Sequence, residues 1–265
     1  MSLLQKATKP EPAKTPIILT LCGEAGSGKS SLASTFPNAF IIRTGGEAMP
    51  RDIANAPDEL PPLGGKKLEN GSWDESELFD QLMALLKDDH NYKTLIIDSI
   101  TGLEDLFVQA ILDVQPAKQK SMNAAGNGFG SAWDIVAGKH GRLRKAAEVL
   151  RTRRGMNVVF IGHVEVDRVD PPDGEAYSKY NLQLHKKTAP IYVNNSDVVG
   201  FLKQDRIIME GGKAQTSDDR VLVVEMTPAN VSKNRLGITG NLKVQKGVNP
   251  FAEYINGTTK EEDTQ

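Results

Sequence analysis

Eight consecutive residues, Gly23, Glu24, Ala25, Gly26, Ser27, Gly28, Lys29 and Ser30, carry the densest chemical signal in the chain. They fit the pattern G-x-x-x-x-G-K-[ST], whose glycines let successive backbone N–H groups turn inward around an anion. Lys29 is placed to bridge the β- and γ-phosphates of ATP, and Ser30 to ligate Mg²⁺. Ser31 extends the expected contact set. A chance match somewhere in a chain of this length is about one in a hundred on average residue frequencies.

A phosphate site of this kind needs a second acid, at the end of another strand. Leu95, Ile96, Ile97 and Asp98 form an apolar run that closes on a carboxylate, followed by Ser99. Asp98 can hold the Mg²⁺ shell through water, or cap the helix that follows, or do both. Hydrolysis further needs a group that orients or deprotonates water. Glu47, shortly after the second apolar strand, is the first candidate. Glu24 inside the phosphate loop competes with it, and Asp52 is a weaker third.

These residues must be positioned by alternating strands and helices. The run from Pro16 to Cys22 predicts a buried strand, residues 30–36 a helix, and Ala39 to Ile42 a second strand. Residues 45–71 are rich in Gly and Pro and predict a long irregular connection. Ser72 to Glu75 has the form of a capping box before a helix bearing Leu78, Leu82, Leu85 and Leu86 on one face. A strand over 93–98 and a helix over 102–114 follow. Residues 115–130, rich in Gly, Asn and Ala, predict a mobile loop. A long helix begins at Ser131, with Trp133, Val136, His140, Leu143, Ala147 and Leu150 as its stripe. A strand over 156–162 precedes a hairpin, 164–170 and 176–184, around Pro171, Pro172, Asp173 and Gly174. Further strands are expected at 197–203 and 220–227.

The pattern is α/β with a mostly parallel central sheet and a C-terminal β-rich extension. It divides into a flexible arm at 1–15, a single domain over 16–255 and a disordered acidic tail at 256–265. Hydrophobic residues make up 39% and charged residues 25%, which excludes an extended low-complexity chain. No apolar run approaches 18 residues, and the first 15 have no apolar core of a signal peptide, so no membrane role and a cytoplasmic setting are expected. The single cysteine, Cys22, excludes a disulfide framework and a Cys-rich zinc site. A formal net charge of −2 argues against coating duplex DNA by bulk charge, but permits a local basic path.

Taken together, Gly23 to Ser30, Leu95 to Ser99, Val158 to His163, and Ser232, Lys233, Asn234, Arg235 and Leu236 resemble the RecA-type P-loop ATPase core. More specifically they resemble the phage RecA-like single-strand annealing proteins, and the resemblance spans residues 16 to about 255. It implies ATP and Mg²⁺ as cofactors, self-assembly into a ring or filament, single-stranded DNA as partner, and contact with a host single-stranded-DNA-binding protein. His163 falls where such proteins keep a polar sensor of the γ-phosphate, more often Gln. Lys233 and Arg235 match late basic residues that reach a neighbouring subunit's nucleotide. There is one departure. Relatives often have the catalytic acid just before a Gly-Gly pair, whereas here Glu47 follows Gly45 and Gly46.

The resemblance places DNA along two loops, which map to 115–130 and 164–188. The first offers Lys118, Lys120 and Phe129. The second offers Arg168, Lys179, Lys186 and Lys187 with Tyr177 and Tyr180, and is the expected main contact. Cations interleaved with aromatics suit a single strand, by charge neutralisation and base stacking. Six cations from Arg142 to Arg154 crowd one helix end and read either as a solvated face or as part of a nucleic-acid path. The leading function is an ATP-dependent recombinase that anneals or pairs single strands. A RecA-core ring motor shares every nucleotide residue; a small-molecule kinase would need an Arg-bearing lid; a non-hydrolysing ATP-gated interaction module is the fourth reading.

Overall fold

The computed structural model describes residues 15–51, 53, 55–172, 174–208 and 214–255. Nearly all of the expected arm, the acidic tail, Asp52 and Asp173 lie outside the described residues.

The elements run β1 (Ile18–Gly23), α1 (Lys29–Ala33), β2 (Ala39–Arg43), β3 (Asp58–Glu59), α2 (Ser76–Lys87), β4 (Thr94–Asp98), α3 (Ile100–Asp113), α4 (Ala132–Arg154), β5 (Asn157–Gly162), β6 (Val164–Val169), β7 (Tyr177–Leu182), α5 (Ala189–Asn194), β8 (Val198–Ile208), β9 (Ala214–Val223), β10 (Lys233–Asn234) and β11 (Leu242–Val244). Every strand expected from the sequence has a counterpart, although β9 covers Ala214–Val223 where 220–227 was expected.

The main sheet has the order β11-β9-β8-β1-β5-β4-β2-β3, with β10 added on β8. From β8 across to β3 all neighbours are parallel, while β9, β10 and β11 pair antiparallel at the other edge. Strands buried on both faces need apolar residues at consecutive positions, and β1 and β4 are buried throughout. Alternation sends Ile18 and Cys22 of β1 to the face covered by α2, α3, α4 and α5. Leu19 and Leu21 go to the face covered by α1 and by Ile238, Phe251 and Ile255.

Because β1, β2, β4 and β5 are parallel, their C-terminal ends share one edge. This brings Gly23, Arg43, Asp98 and Gly162 together, and ligands of open α/β sheets bind at such an edge.

Two local expectations are corrected. Ser72 does not cap α2; its hydroxyl donates to Asn70 Oδ1, while Asp74 Oδ1 accepts from the backbone N–H of Ser76. An aspartate two residues upstream makes the tighter local turn, so the helix begins after Glu75. Glu75 is released to pair with Lys139 and Arg142 of α4. The loop at 115–130 is anchored in its middle. Ala117–Gln119 forms a 3₁₀ turn, and Met122 and Ala125 are buried in the core.

The cations of α4 are largely engaged. Arg142 pairs with Glu75, Arg144 with Glu148, Arg151 with Glu148 and Asp197, and Arg154 bonds the Asp88 carbonyl. They lace α4 to its neighbours.

Candidate nucleotide site

The segment from Gly23 to Lys29 turns from β1 into α1 as the glycine pattern requires. Gly28 has φ 97°, a left-handed conformation that favours glycine. Gly23 is held for a different reason: a Cβ there would lie 2.5 Å from the Leu202 carbonyl oxygen of β8. The loop therefore seats directly on the neighbouring strand.

Lys29 is buried, and its Nζ donates to the carbonyls of Gly23 and Glu24, each at 2.9 Å. The ammonium is thus folded back across its own loop. Burial pushes its pKa below the ordinary lysine value, opposed by the charges of Asp98 and Glu47. An anion in the loop would relieve that desolvation. The Ser27 hydroxyl is buried without a hydrogen-bond partner.

Ser30 donates to Asp98 Oδ2 at 2.6 Å. Asp98 is buried, which raises its pKa, and the charge of Glu47 adds to the rise. A hydroxyl and a desolvated carboxylate in contact form a hard oxygen pair suited to Mg²⁺. The orphaned Ser27, the folded-back lysine and this pair fit a nucleotide with its metal.

Glu47 reaches the same edge through the turn after β2. Arg43 anchors that turn: it donates to the Glu47 carbonyl at 2.7 Å and grips Glu59 with two bonds of 2.5 and 2.7 Å. Thr44 ties the turn to β4, its N–H donating to the Asp98 carbonyl and its hydroxyl accepting from the Ser99 N–H. Glu47 Oε1 then accepts from Ser99 Oγ at 2.8 Å and from His163 Nε2 at 2.9 Å. The His163 bond is the largest cause holding the Glu47 carboxyl below its usual pKa, with burial opposing it. Ser99 also caps α3 by accepting from the Gly102 N–H.

Lys29, Ser30, Ser31, Glu47, Asp98 and His163 line one cleft of about 370 Å³, with Ala25, Gly26 and Gly28. Glu24 is exposed and does not line it. Two residues that shape or line this site escaped the sequence reading. Thr44, which ties the turn to β4, had no signal beyond its neighbouring glycines. Arg220 of β9 also lines the cleft; only the register of a distant hairpin brings it there.

Lys233 and Arg235 lie elsewhere. Their side chains bond the carbonyls of Val193 and Asn194 at the end of α5, and Arg235 N–H bonds the Asp197 carbonyl. Asp197 N–H in turn bonds Ile18, at the opening of β1. Some five strand steps, about 16 Å, separate that end from Gly23.

The DNA candidates divide unevenly. Lys118, Lys120 and Lys186 are exposed. Lys187 pairs with Asp134 at 2.6 Å, and His185 stacks on Trp133 at 4.0 Å, which docks the 185–187 segment beside the end of the first loop. On the hairpin, Arg168 pairs with Asp170 and Tyr180 packs on Phe201, so neither is offered to solvent unencumbered. Tyr177 is exposed at the strand end and Lys179 is half-buried. The hairpin also bears Glu165, Asp167, Asp170 and Glu175 against Arg168 and Lys179, whereas residues 115–130 contain no acid. Phe129, on that acid-free loop, is fully exposed with φ 53°.

A family model described as an AAA domain matches residues 15–236. No curated protein matches the chain.

Proposed function

The chain belongs to the AAA domain family, and on that premise we propose that it is an ATP-dependent recombinase that binds single-stranded DNA and anneals or pairs strands, with ATP at subunit junctions. One observation carries the reading. Ser30 bonds Asp98; the next residue, Ser99, bonds Glu47; Glu47 bonds His163; and His163 is the residue before the β6–β7 hairpin. A change at the phosphate loop has a short polar route to the hairpin, whose second strand runs on into the segment bearing Lys186 and Lys187.

In this reading Lys29 and the loop N–H groups hold the phosphates, and Ser30 and Asp98 hold Mg²⁺. The metal supplies neutralisation of phosphate charge. Glu47 orients water. The hydrogen bond from His163 holds the Glu47 carboxylate ionised, and in this reading ATP serves chiefly as a switch of assembly. Single-stranded DNA follows Lys118, Lys120 and Phe129 of the acid-free loop and the adjoining Lys186 and Lys187. The sequence reading favoured the hairpin side; Glu165 and Asp167 on β6, with Asp170 and Glu175 in the turn to β7, repel a phosphate backbone and move the preference.

Electron microscopy with and without ATP and single-stranded DNA tests the reading. Ordered rings or filaments that require ATP and carry DNA are expected. A monomer under all four conditions, or tighter binding to duplex than to single strands, would reject it. Directional movement along DNA would instead indicate the ring motor.

A further inference from the structure

Arg220 stands over the phosphate loop from the far side of the sheet edge. It lies in β9 opposite Gln204 of β8, at the point where the pairing register of the two strands shifts. Irregularities of this kind re-aim side chains. The guanidinium crosses to the loop: a Cβ placed on Gly28 would lie 2.6 Å from its Nη1 and 2.9 Å from its Cζ. Arg220 is half-buried, and among the described residues its side chain has no ion pair or hydrogen bond. Partial desolvation of a cation is costly unless an anion meets it, and here the guanidinium is held beside a loop built for anions.

Two cavities meet at this point. Gly28, Ser31 and Arg220 line both the cleft holding Lys29 and Asp98 and a larger cavity of about 1190 Å³. The larger wall includes Asn38, Tyr92 and Gln204, side chains able to face a ring or bond its edges. A nucleotide with its terminal phosphates at Lys29 and Ser30 has one natural continuation. Its α-phosphate lies in the passage and its nucleoside in the larger cavity.

We propose that Arg220 binds the α-phosphate of the nucleotide held by its own subunit, and that the cavity beyond it receives the nucleoside. This rests on the nucleotide reading above, and the test separates the two. The measurement is calorimetric affinity for Mg-ATP and for ADP in wild type, Arg220→Ala and Arg220→Lys, with thermal unfolding of each variant free of nucleotide. Because ATP and ADP share the α-phosphate, Arg220→Ala should weaken both by the same factor, about ten- to a hundredfold for a charge-assisted contact. Arg220→Lys should recover part of the loss, keeping the charge without the guanidinium fork. Wild-type affinities in a folded Arg220→Ala would overturn the proposal. So would a loss confined to ATP, which would place the contact on the γ-phosphate. If Arg220→Ala does not fold, Arg220→Lys and Arg220→Gln carry the same comparison, and equal affinities in those two would overturn it. Wild-type protein that binds neither nucleotide would reject the nucleotide reading itself.

Discussion

In the proposed reading, Glu47 is the residue on which turnover depends most directly. It shares its Oε1 between Ser99 and His163. Both donors favour the ionised form, and the His163 bond dominates the downward pKa shift. A carboxylate whose pKa is depressed stays charged into mild acid, so turnover should not titrate with Glu47 near neutrality. Glu47→Gln removes the charge but keeps the shape. It should leave ATP affinity within about threefold and cut hydrolysis by about 10² to 10⁴, the usual range for a positioned acid–base group. Phosphate release and calorimetry read the two halves; loss of binding alone would make Glu47 a ligand of the nucleotide. The sequence put Glu47 first, with Glu24 as competitor and Asp52 as a weaker third, and could not separate them further because distance from a motif does not say which way a loop turns. What decides is Arg43, which bonds the Glu47 carbonyl from the end of β2.

At the scale of elements, α4 shows both what a sequence discloses and what it hides. Its apolar stripe was legible from spacing, and Val136, His140, Leu143, Ala147 and Leu150 are all buried. Its internal pairs of Arg144 and Arg151 with Glu148 follow from helical spacing, but Glu75, Asp88, Asn195 and Asp197, the other partners of its arginines, lie outside α4 and had no local signal. His140 is wholly buried, shares a 2.7 Å hydrogen bond with the Tyr192 hydroxyl and lies 3.9 Å from Glu104. Burial pushes the His140 pKa down to about 3 and raises that of Glu104, so the pair is not a salt bridge in the folded protein. The unfolded imidazole takes a proton near pH 6.5. As pH falls from there towards 3, the unfolded state binds a proton that the folded state refuses, and stability is lost. One such group contributes up to about 1.4 kcal/mol per pH unit. His140→Gln should therefore be less stable at pH 7.5 yet show a flatter decline between pH 6 and pH 5 in urea unfolding. Parallel curves would mean that His140 does not govern the acid limb. The proposed DNA path has a test at the same scale. Lys118→Ala with Lys120→Ala should flatten the slope of log affinity against log salt by up to about 1.4 units if both touch phosphate. Arg168→Ala with Lys179→Ala should leave it unchanged. The reverse pattern would return the DNA path to the hairpin.

Across the whole molecule, the parallel core was legible because each strand is a short apolar run between breakers, and the chemistry sits at the strand ends. The antiparallel edge was legible as strands but not as a partner of the phosphate loop. Pairing of β8 with β9 fixes Arg220 over Gly28 through a register that no local signal encodes. The same edge carries Lys233 and Arg235, whose side chains cap the end of α5. Cations there complement the helix dipole, so a purely structural role would make Arg235→Ala a mild change. A trans role predicts more. Because about 16 Å of strand separates their end of β1 from Gly23, these side chains do not serve their own loop. Arg235→Ala should still bind ATP, but should lose ATP-dependent assembly and most hydrolysis. Lys29→Ala should lose hydrolysis through the loop while keeping the basic pair. When the two variants are mixed, junctions of one order join an intact loop to an intact Arg235. Part of the lost activity should return, and it should rise with total protein concentration, since such a site exists only in the assembly. If Arg235→Ala is inactive and mixing restores nothing despite demonstrated co-assembly, Arg235 acts on its own subunit or only holds α5. ATP at subunit junctions would then lose the pair of residues proposed to complete it.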